Sequence, residues 1–171
     1  VRLQLHLVQN DPYLATQWHL GTSAAAVRAQ PGWDRHTGSP SVVIGVLDTG
    51  VDLTHSDLVS KIWQNPGEIP GNGLDDDGNG YQDDVSGWDF GDADADAHPT
   101  SLIDPLVGID VGWHGTFVAG LAAAATNNGI GIAGVAWGCR IMPLKVSDAF
   151  GDIAVSSLVG AVDYAIANGA S

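Results

Sequence analysis

The sequence predicts an α/β fold in which a doubly wound, mostly parallel sheet lies between helices on both faces, a three-layer arrangement. Two short apolar runs, 42–47 and 140–146, have the length of strands that are buried on both faces. Two longer stretches, 114–125 and 155–168, carry apolar and small residues at helical spacing. Strand, helix, strand, helix is the order that winds a parallel sheet, and we expect its later strands to follow residue 171.

The amino-acid composition indicates the size of the domain and which partners are favoured or disfavoured. The 171 residues suffice for one α/β domain, and 44% of them are hydrophobic. Twenty acidic residues against six basic ones give a net charge of −14, which disfavours nucleic acid. The sequence predicts no membrane-spanning segment. All acidic residues except Glu68 are Asp, a frequent calcium ligand, so Ca²⁺ is the first cofactor to consider. The single Cys139 excludes an internal disulfide.

The first residues divide into a short N-terminal extension and the start of the domain. Residues 1–9 alternate apolar and polar side chains, as an edge strand or a residual pro-segment would. We assign them to an N-terminal extension and place the main domain at 10–171. Within it, residues 21–27 predict a helix with Ser23 as its N-cap.

Asp48 ends the first predicted strand and is followed by Thr49 and Gly50. In open α/β sheets the functional crevice lies at the carboxyl ends of the strands, so this position favours a chemical role. A carboxylate that merely caps the turn is the alternative. The residues that follow, 51–58, predict a loop.

An acidic insertion, 65–110, contains no Lys or Arg. One loop within it has the spacing of a calcium loop, with oxygens from Asp75, Asp77, Asn79, the Tyr81 carbonyl and Asp83. Ser86 replaces the usual Glu at the twelfth position, and Asp84 is a substitute. The second spacing comprises Asp89, Asp92, Asp94 and Asp96. A solvated acidic loop without any cation is the alternative interpretation of both.

His114 begins the helix predicted at 114–125, which we expect to bury Phe117, Leu121, Ala124 and Ala125. A histidine here needs a carboxylate to hold its charged form against the helix dipole, and Asp48 is the candidate. A purely structural histidine is the alternative. The second helix, 155–168, is expected to bury Leu158, Val162, Ala165 and Ile166 and to end at Gly169.

Two motifs resemble the signatures of the subtilisin-like serine proteases, the subtilases. They are Asp48-Thr49-Gly50 and the run from His114 to Gly120, which reads His-Gly-Thr-x-Val-Ala-Gly. The resemblance implies that Asp48 orients His114 and that His114 is the general base for a serine. It places that serine and the oxyanion Asn beyond residue 171, so these residues alone are expected to be inactive. A secreted, calcium-stabilised serine endopeptidase of the thermitase-like branch is implied, with a peptide or protein substrate and its own pro-peptide as partners.

The resemblance also implies ligands and substrate contacts. A tight calcium site would use Asp11, Asp57, the Asn128 side chain and the carbonyls of Thr126, Ile130 and Ile132. The second calcium site is implied at Asp89, Asp92, Asp94 and Asp96, and the 75–83 loop resembles an insertion found in some secreted members. Gly151, Asp152 and Ile153 resemble the edge that pairs with an extended peptide.

Three alternatives accompany this interpretation. Asp-Thr-Gly also marks aspartic proteases, which need a second copy on a β-rich chain, and the sequence has no second copy. A calcium-binding pseudoprotease differs only in residues beyond 171. Finally, Gly21-Thr22-Ser23-Ala24 imitates a serine motif, but it precedes Asp48, so we interpret Ser23 as a helix cap.

Overall fold

The computed structural model describes residues 9–171, so the predicted extension at 1–9 lies outside them except for Gln9. The helices are α1 (Ala29–Trp33), α2 (His114–Ala123) and α3 (Val155–Ala167), and the strands are β1 (Val43–Asp48), β2 (Trp88–Asp89) and β3 (Arg140–Lys145). Short 3₁₀ turns cover Leu14–Thr16, Trp18–Leu20 and Val59–Lys61. No helix of the described residues is long and apolar enough to cross a membrane.

The three strands form one parallel sheet in the order β1-β3-β2. Asp48 and Asp89 both pair in register with Lys145, so the three strands end side by side. The parallel sheet confirms the predicted class. The sequence did not reveal β2, because a two-residue strand is too short to show a period.

Helices cover both faces of the sheet. One face packs on α2 in a cluster formed by Val46, Val51, Leu58, Ile62, Ala119, Ala123, Ala124 and Ile141. The other face packs on α3 in a cluster formed by Val43, Trp63, Met142, Leu144, Val146, Ala161, Tyr164 and Ala165. Side chains along a strand point alternately to opposite faces, so a central strand contributes residues to both clusters. The helix, sheet and helix form the three predicted layers.

The buried face of α2 differs from the predicted one. Gly115, Thr116, Ala119, Gly120 and Ala123 are buried, whereas Phe117 is 62% exposed. Small residues let the helix approach the sheet closely, so here size rather than hydrophobicity decides which side faces inward. Of the predicted inward residues, only Ala124 is fully buried.

The same correction applies to α3. Ala161, Tyr164 and Ala165 are buried, but Leu158, Val162 and Ile166 are exposed, so only Ala165 matches the prediction. The predicted end is confirmed. Gly169 adopts φ +78°, its N–H donates to the Ile166 carbonyl, and the Ala170 N–H donates to the Ala165 carbonyl. These two bonds make a Schellman motif, which requires a left-handed residue.

The helix predicted at 21–27 is absent from the structure, and Ser23 caps no helix. This segment forms turns, and α1 begins only at Ala29. Three consecutive alanines are too few to nucleate a helix without tertiary support. The chain instead packs around Ala133, whose carbonyl and N–H both bond to the Gln17 side chain.

Several aspartates close turns in loops. Asp89, Asp94, Asp104 and Asp148 each accept backbone N–H groups from residues that follow within four positions. Short carboxylates suit this role because they reach the backbone just ahead of them.

Candidate active site

Asp48 ends β1 at the carboxyl edge of the sheet, where its side chain is 15% exposed. Its Oδ1 accepts hydrogen bonds from the Thr49 N–H at 2.8 Å and from the Thr49 hydroxyl at 3.2 Å. These bonds fix the carboxylate in one orientation. The predicted position at the sheet edge is therefore observed.

His114 is the first residue of α2, and its ring contacts this carboxylate. Nδ1 lies 2.8 Å from Asp48 Oδ1 and 3.0 Å from Oδ2. A carboxylate can only accept, so this geometry assigns the proton to Nδ1 and leaves Nε2 as the basic nitrogen. The His114 side chain is 63% exposed, and no side chain of residues 9–171 bonds to Nε2.

The Thr and Gly residues of the two motifs, Asp48-Thr49-Gly50 and His114-Gly115-Thr116, explain how Asp48 and His114 are held together. The Thr49 hydroxyl donates to the Gly112 carbonyl at 2.6 Å and accepts the Gly115 N–H at 3.1 Å, which ties the strand end to the helix start. A Cβ at Gly115 would lie 2.3 Å from the Gly50 carbonyl oxygen and 2.9 Å from Asp48 Cβ. Only glycine permits α2 to approach β1 this closely.

A second Asp–His pair lies nearby and differs in kind. His98 Nδ1 is 3.9 Å from Asp52 Oδ1, beyond hydrogen-bond distance. Burial alone would raise the pKa of Asp52, but hydrogen bonds from Thr54 and the nearby His98 and His55 hold it below its ordinary value. The hydrogen-bonded pair is therefore Asp48 with His114. The partner of Asp48 is an imidazole and not a carboxylate, so the geometry does not support the aspartic-protease alternative.

The residues of the predicted tight calcium site are brought together around two buried carboxylates, Asp57 and Asp11. Asp57 accepts the Asn128 side-chain amide at 2.8 Å and the Ile132 N–H at 3.0 Å. Asp11 accepts the Asn127 N–H at 2.8 and 3.0 Å. Both carboxylates are thus bound to loop 126–132, as the predicted ligand set requires. Ligation by the Thr126, Ile130 and Ile132 carbonyls stays a prediction.

In the acidic loop at 75–83, the carboxylate cluster shares Asp77 with the predicted set and includes Asp84, the predicted substitute, whereas ligation by Asp75, Asn79, Tyr81 and Asp83 stays a prediction. Asp75 accepts the N–H groups of Gly78, Asn79 and Gly80, and Asp83 accepts those of Asn72 and Gly73. Ligand atoms of Glu68, Asp77 and Asp84 instead lie within 4.8 Å of one another. This cluster could hold a metal ion, with Asn79 bound to both Asp77 and Asp84.

Asp84 connects this cluster to the core. It is fully buried and accepts the Tyr164 hydroxyl of α3 at 2.6 Å and the Asn65 amide at 2.9 Å. Burial and the Asp84 charge raise the pKa of Tyr164, so its hydroxyl stays a donor. The sequence pattern missed Glu68, which precedes the loop by several residues. Its status as the only Glu was the one available signal.

The second predicted calcium cluster contains a lysine. Lys145 Nζ lies 2.5 Å from Asp89 Oδ2 and 3.1 Å from Asp92 Oδ2, and both Lys145 and Asp89 are 2% exposed. Burial alone would lower the pKa of Lys145, but Asp89 and Asp92 raise it, so the ammonium is charged. Calcium at Asp89, Asp92, Asp94 and Asp96 stays a prediction, and the Lys145 ammonium competes with it.

The predicted substrate edge follows β3 as an exposed turn. Gly151, Asp152 and Ile153 are all exposed, and Ile153 forms a β-bridge with Ser147. The Asp152 carbonyl accepts the Asp148 N–H at 2.9 Å, and the Gly151 N–H donates to the Asp148 carbonyl at 3.0 Å. Substrate pairing at this edge stays a prediction.

Comparison with known proteins adds independent findings. Residues 39–171 match the model of the subtilase family of peptidases. The chain is 37% identical over 151 residues to an extracellular protease of Xanthomonas campestris pv. campestris, covering 84% of this chain and 24% of that protein. It is 32% identical over 161 residues to thermitase of Thermoactinomyces vulgaris, covering 94% of this chain and 44% of that protein.

A solved structure agrees in fold. A protease from Pseudoalteromonas arctica superposes with a TM-score of 0.70 at 30% identity, covering 96% of this chain and 45% of that one. The chain thus spans between a quarter and a half of the length of these relatives. With an Asp–His pair on the two signature motifs and a family match over residues 39–171, this chain belongs to the subtilase family.

Proposed function

We propose that the whole protein is a serine endopeptidase in which Asp48 and His114 are two members of the catalytic triad. The observation that carries this proposal is the 2.8 Å bond from His114 Nδ1 to Asp48, with Nε2 left open to solvent. An imidazole held in this tautomer can take a proton at Nε2, and the ionised carboxylate stabilises the imidazolium that results.

The proposed steps follow from that geometry. His114 Nε2 accepts the proton of a serine hydroxyl as the oxygen attacks the peptide carbonyl, and then gives it to the leaving amine. Asp48 stabilises the imidazolium in between. No serine hydroxyl of residues 9–171 bonds to His114, which supports a nucleophile outside these residues. We therefore expect the 171 residues alone to be inactive.

The test compares two histidines in the whole protein. His114→Ala and Asp48→Asn are each expected to lower kcat by roughly 10⁴-fold on a peptide amide substrate. The matched control is His98→Ala, which removes the more distant pair and should leave kcat within about two-fold. Turnover that survives His114→Ala, or measurable turnover by the purified 171 residues, would contradict the proposal.

We propose further that the protein is secreted. Two relatives are named extracellular proteases, from Xanthomonas campestris and Dichelobacter nodosus. The substrate is then a peptide or protein met outside the cell, and a pro-segment of the same protein is a second partner. Immunodetection in culture medium and in washed cells tests this. Signal confined to the cells would argue against secretion.

Calcium binding is the remaining part of the proposal. Loop 126–132 with Asp11 and Asp57 is one site, and Glu68, Asp77 and Asp84 form another. Several carboxylate oxygens held this close repel one another, and a hard cation that takes oxygen ligands relieves the repulsion. Calcium would supply stability here and take no part in the proton transfers.

Thermal unfolding with Ca²⁺ and with a chelator tests the two sites. At a hundred times the dissociation constant, one site adds about 2.7 kcal/mol, which corresponds to about 5–10 °C in Tm for a chain of this size. Asp84→Asn should remove part of this shift. Asp104→Asn, at a half-buried turn aspartate outside both clusters, is the control and should keep all of it. An unchanged Tm on a folded sample would refute both sites.

A further inference from the structure

Four asparagines of this chain are each followed directly by a glycine: Asn72-Gly73, Asn79-Gly80, Asn128-Gly129 and Asn168-Gly169. Glycine has no Cβ, so its backbone nitrogen can approach the side-chain amide of the preceding residue closely. In such a pair the asparagine can lose its amide nitrogen in water, and asparagine is for this reason a thermolabile residue. Whether a pair reacts depends on how firmly the structure holds the amide and the glycine nitrogen.

The first pair lies in the acidic insertion and is held by carboxylates. The Asn72 amide donates to Asp76 at 2.8 Å, and its side-chain oxygen accepts the Leu74 N–H at 2.8 Å. The Gly73 N–H donates to Asp83 at 3.0 Å. Three hydrogen bonds therefore have to break before the glycine nitrogen can reach the amide carbon.

The second pair, in the same insertion, has the same three restraints. The Asn79 amide donates to Asp84 at 2.9 Å, and its oxygen accepts the Tyr81 N–H at 2.8 Å. The Gly80 N–H donates to Asp75 at 2.8 Å. This pair is therefore restrained at the amide nitrogen, the amide oxygen and the glycine nitrogen.

The third pair lies in loop 126–132 and repeats the pattern. The Asn128 amide donates to Asp57 at 2.8 Å, and its oxygen accepts the Ile130 N–H at 2.9 Å. The Gly129 N–H donates to the Asn10 side chain at 2.8 Å. In all three pairs a carboxylate binds the asparagine amide, and hydrogen bonds to ionised acceptors are roughly twice as strong as those to neutral ones.

The fourth pair ends α3 and lacks these restraints. The Asn168 amide donates to the Tyr164 carbonyl at 3.1 Å, and the Gly169 N–H donates to the Ile166 carbonyl at 3.2 Å. No N–H group among residues 9–171 donates to the Asn168 side-chain oxygen. Both bonds go to neutral carbonyls of the last helical turn, and the ends of helices open at little cost in free energy.

We propose that Asn168 is a site of spontaneous deamidation and that the fold protects the other three Asn-Gly pairs. When the last turn of α3 opens, the Gly169 nitrogen attacks Asn168 Cγ. A bond forms between these two atoms, the Cγ–Nδ2 bond breaks, and ammonia leaves with the proton of the Gly169 N–H. Water then adds to one of the two carbonyls of the resulting succinimide ring and opens it to aspartate or isoaspartate. One water is consumed for each ammonia released.

Both products weaken the end of α3. Aspartate adds a negative charge at the C-terminus of the helix, where the helix dipole disfavours it. Isoaspartate inserts a methylene into the main chain just before Gly169 and so displaces the N–H groups that follow. The Ala170 N–H donates to the Ala165 carbonyl at 2.8 Å, and the Ser171 N–H donates to the Val43 carbonyl of β1 at 2.9 Å. We expect both amides to lose protection from hydrogen exchange in the isoaspartate form.

A tryptic digest measures the modification, because trypsin cleaves after Lys and Arg. Peptide 146–171 contains Asn168 as its only asparagine, and peptide 62–140 contains the other three pairs. The folded chain is kept at mildly alkaline pH, and samples taken over time are digested and analysed by mass spectrometry. Deamidation replaces an NH₂ group by OH and adds about 1 Da. Peptide 146–171 should gain this mass about ten-fold faster than peptide 62–140, as expected if each protected pair must break one more strong hydrogen bond.

The unfolded chain and two variants are the controls. In guanidinium chloride the order of the two peptides should reverse, because peptide 62–140 carries three pairs and no hydrogen bonds protect them. Asn168→Gln should abolish the mass gain of peptide 146–171, because glutamine would have to close a larger ring. Asn72→Gln, in an exposed loop, is the matched control and should leave that gain unchanged.

Two results would overturn the inference. One is that peptide 62–140 of the folded chain gains mass as fast as peptide 146–171. The other is that peptide 146–171 stays unmodified in the folded chain while it converts in the unfolded one. The modification needs no nucleophilic serine and no cation, so these results are independent of the proposed peptidase activity.

Discussion

Removing the Lys145 ammonium is expected to destabilise the protein strongly, because Lys145 is the cation of a buried ion pair. Lys145→Met keeps the length of the side chain but leaves Asp89, only 2% exposed, without its cation. Breaking a buried ion pair in this way typically costs about 3–5 kcal/mol. Asp89 Oδ1 still accepts the Gly91 and Asp92 N–H groups, so we expect the lower end, about 3 kcal/mol.

Urea unfolding followed by circular dichroism measures this loss. Lys145→Met with Asp89→Asn should recover most of the stability, because the amide oxygen keeps both N–H contacts and no charge remains buried. Lys61→Met is the matched control. Among residues 9–171, Lys61 donates to the Trp137 carbonyl and to no carboxylate, so its removal should cost about 1 kcal/mol.

Calcium adds a second measurement to the same variant. Lys145→Met frees Asp89 and Asp92, so a cation that fits the cluster should stabilise the variant more than the parent. A loss of under 1 kcal/mol for Lys145→Met would refute the buried ion pair. Equal stabilisation of both proteins by calcium would refute a cation site at these aspartates.

Two further predictions concern the surroundings of the catalytic pair. Gly115→Ala places a methyl 2.3 Å from the Gly50 carbonyl oxygen, so it should lower the free energy of unfolding by about 1–3 kcal/mol and break the His114–Asp48 hydrogen bond, which the NMR signals of the His114 ring report. The control is Gly120→Ala, whose new methyl meets the tip of the Ile132 side chain at 3.4 Å. It should leave the stability and the hydrogen bond unchanged. Hydrogen bonds from Ser101, Leu102 and Gly112 hold the pKa of Asp110 below its ordinary value of 3.8. The base of the β-hairpin 102–111, which these bonds close, should therefore stay intact above pH 3.8 and loosen only as the pH falls below that value. Loss of the Leu102 and Gly112 amide shifts above pH 5 would contradict this.

The sequence predicted the elements that carry the catalytic pair. Observed α2 begins at His114 as expected, and β1 ends at Asp48. A buried parallel strand and a helix of small residues have strong local signals, so their ends were predictable. The position of Asp48 beside His114 followed from the rule that sites form where parallel strands end.

Contacts between distant residues were not predictable from spacing. Glu68 lies beside Asp77 and Asp84 because the loop folds back on itself, and Lys145 of β3 contacts Asp89 on the neighbouring strand β2. Neither pairing leaves a periodic pattern in the sequence. The inward faces of α2 and α3 were also missed, because a hydrophobic stripe predicts burial only where no smaller residues allow closer packing.

The acidic insertion, 65–110, contains one feature that the sequence predicted and one that it did not. Its first half contains the expected carboxylate loop, whereas residues 102–111 form an apolar hairpin beside the active site. The acidic composition of this stretch indicated only its aspartates, so no role was predicted for Leu102, Ile103 and Leu106. The aspartates of this hairpin have another role. Asp104 at the turn accepts the Leu106 N–H, and Asp110 at the base accepts the Leu102 N–H.

Because many aspartates of this chain serve to close turns, its net charge can be changed without changing the conformation of its loops. An asparagine offers the same oxygen at the same reach, so Asp→Asn changes at Asp94, Asp104 and Asp148 would keep the loop bonds while lowering the negative charge. Glutamate at those positions would keep the charge and lose the bonds. The isoelectric point could therefore be raised for ion-exchange purification or surface immobilisation without rebuilding the loops.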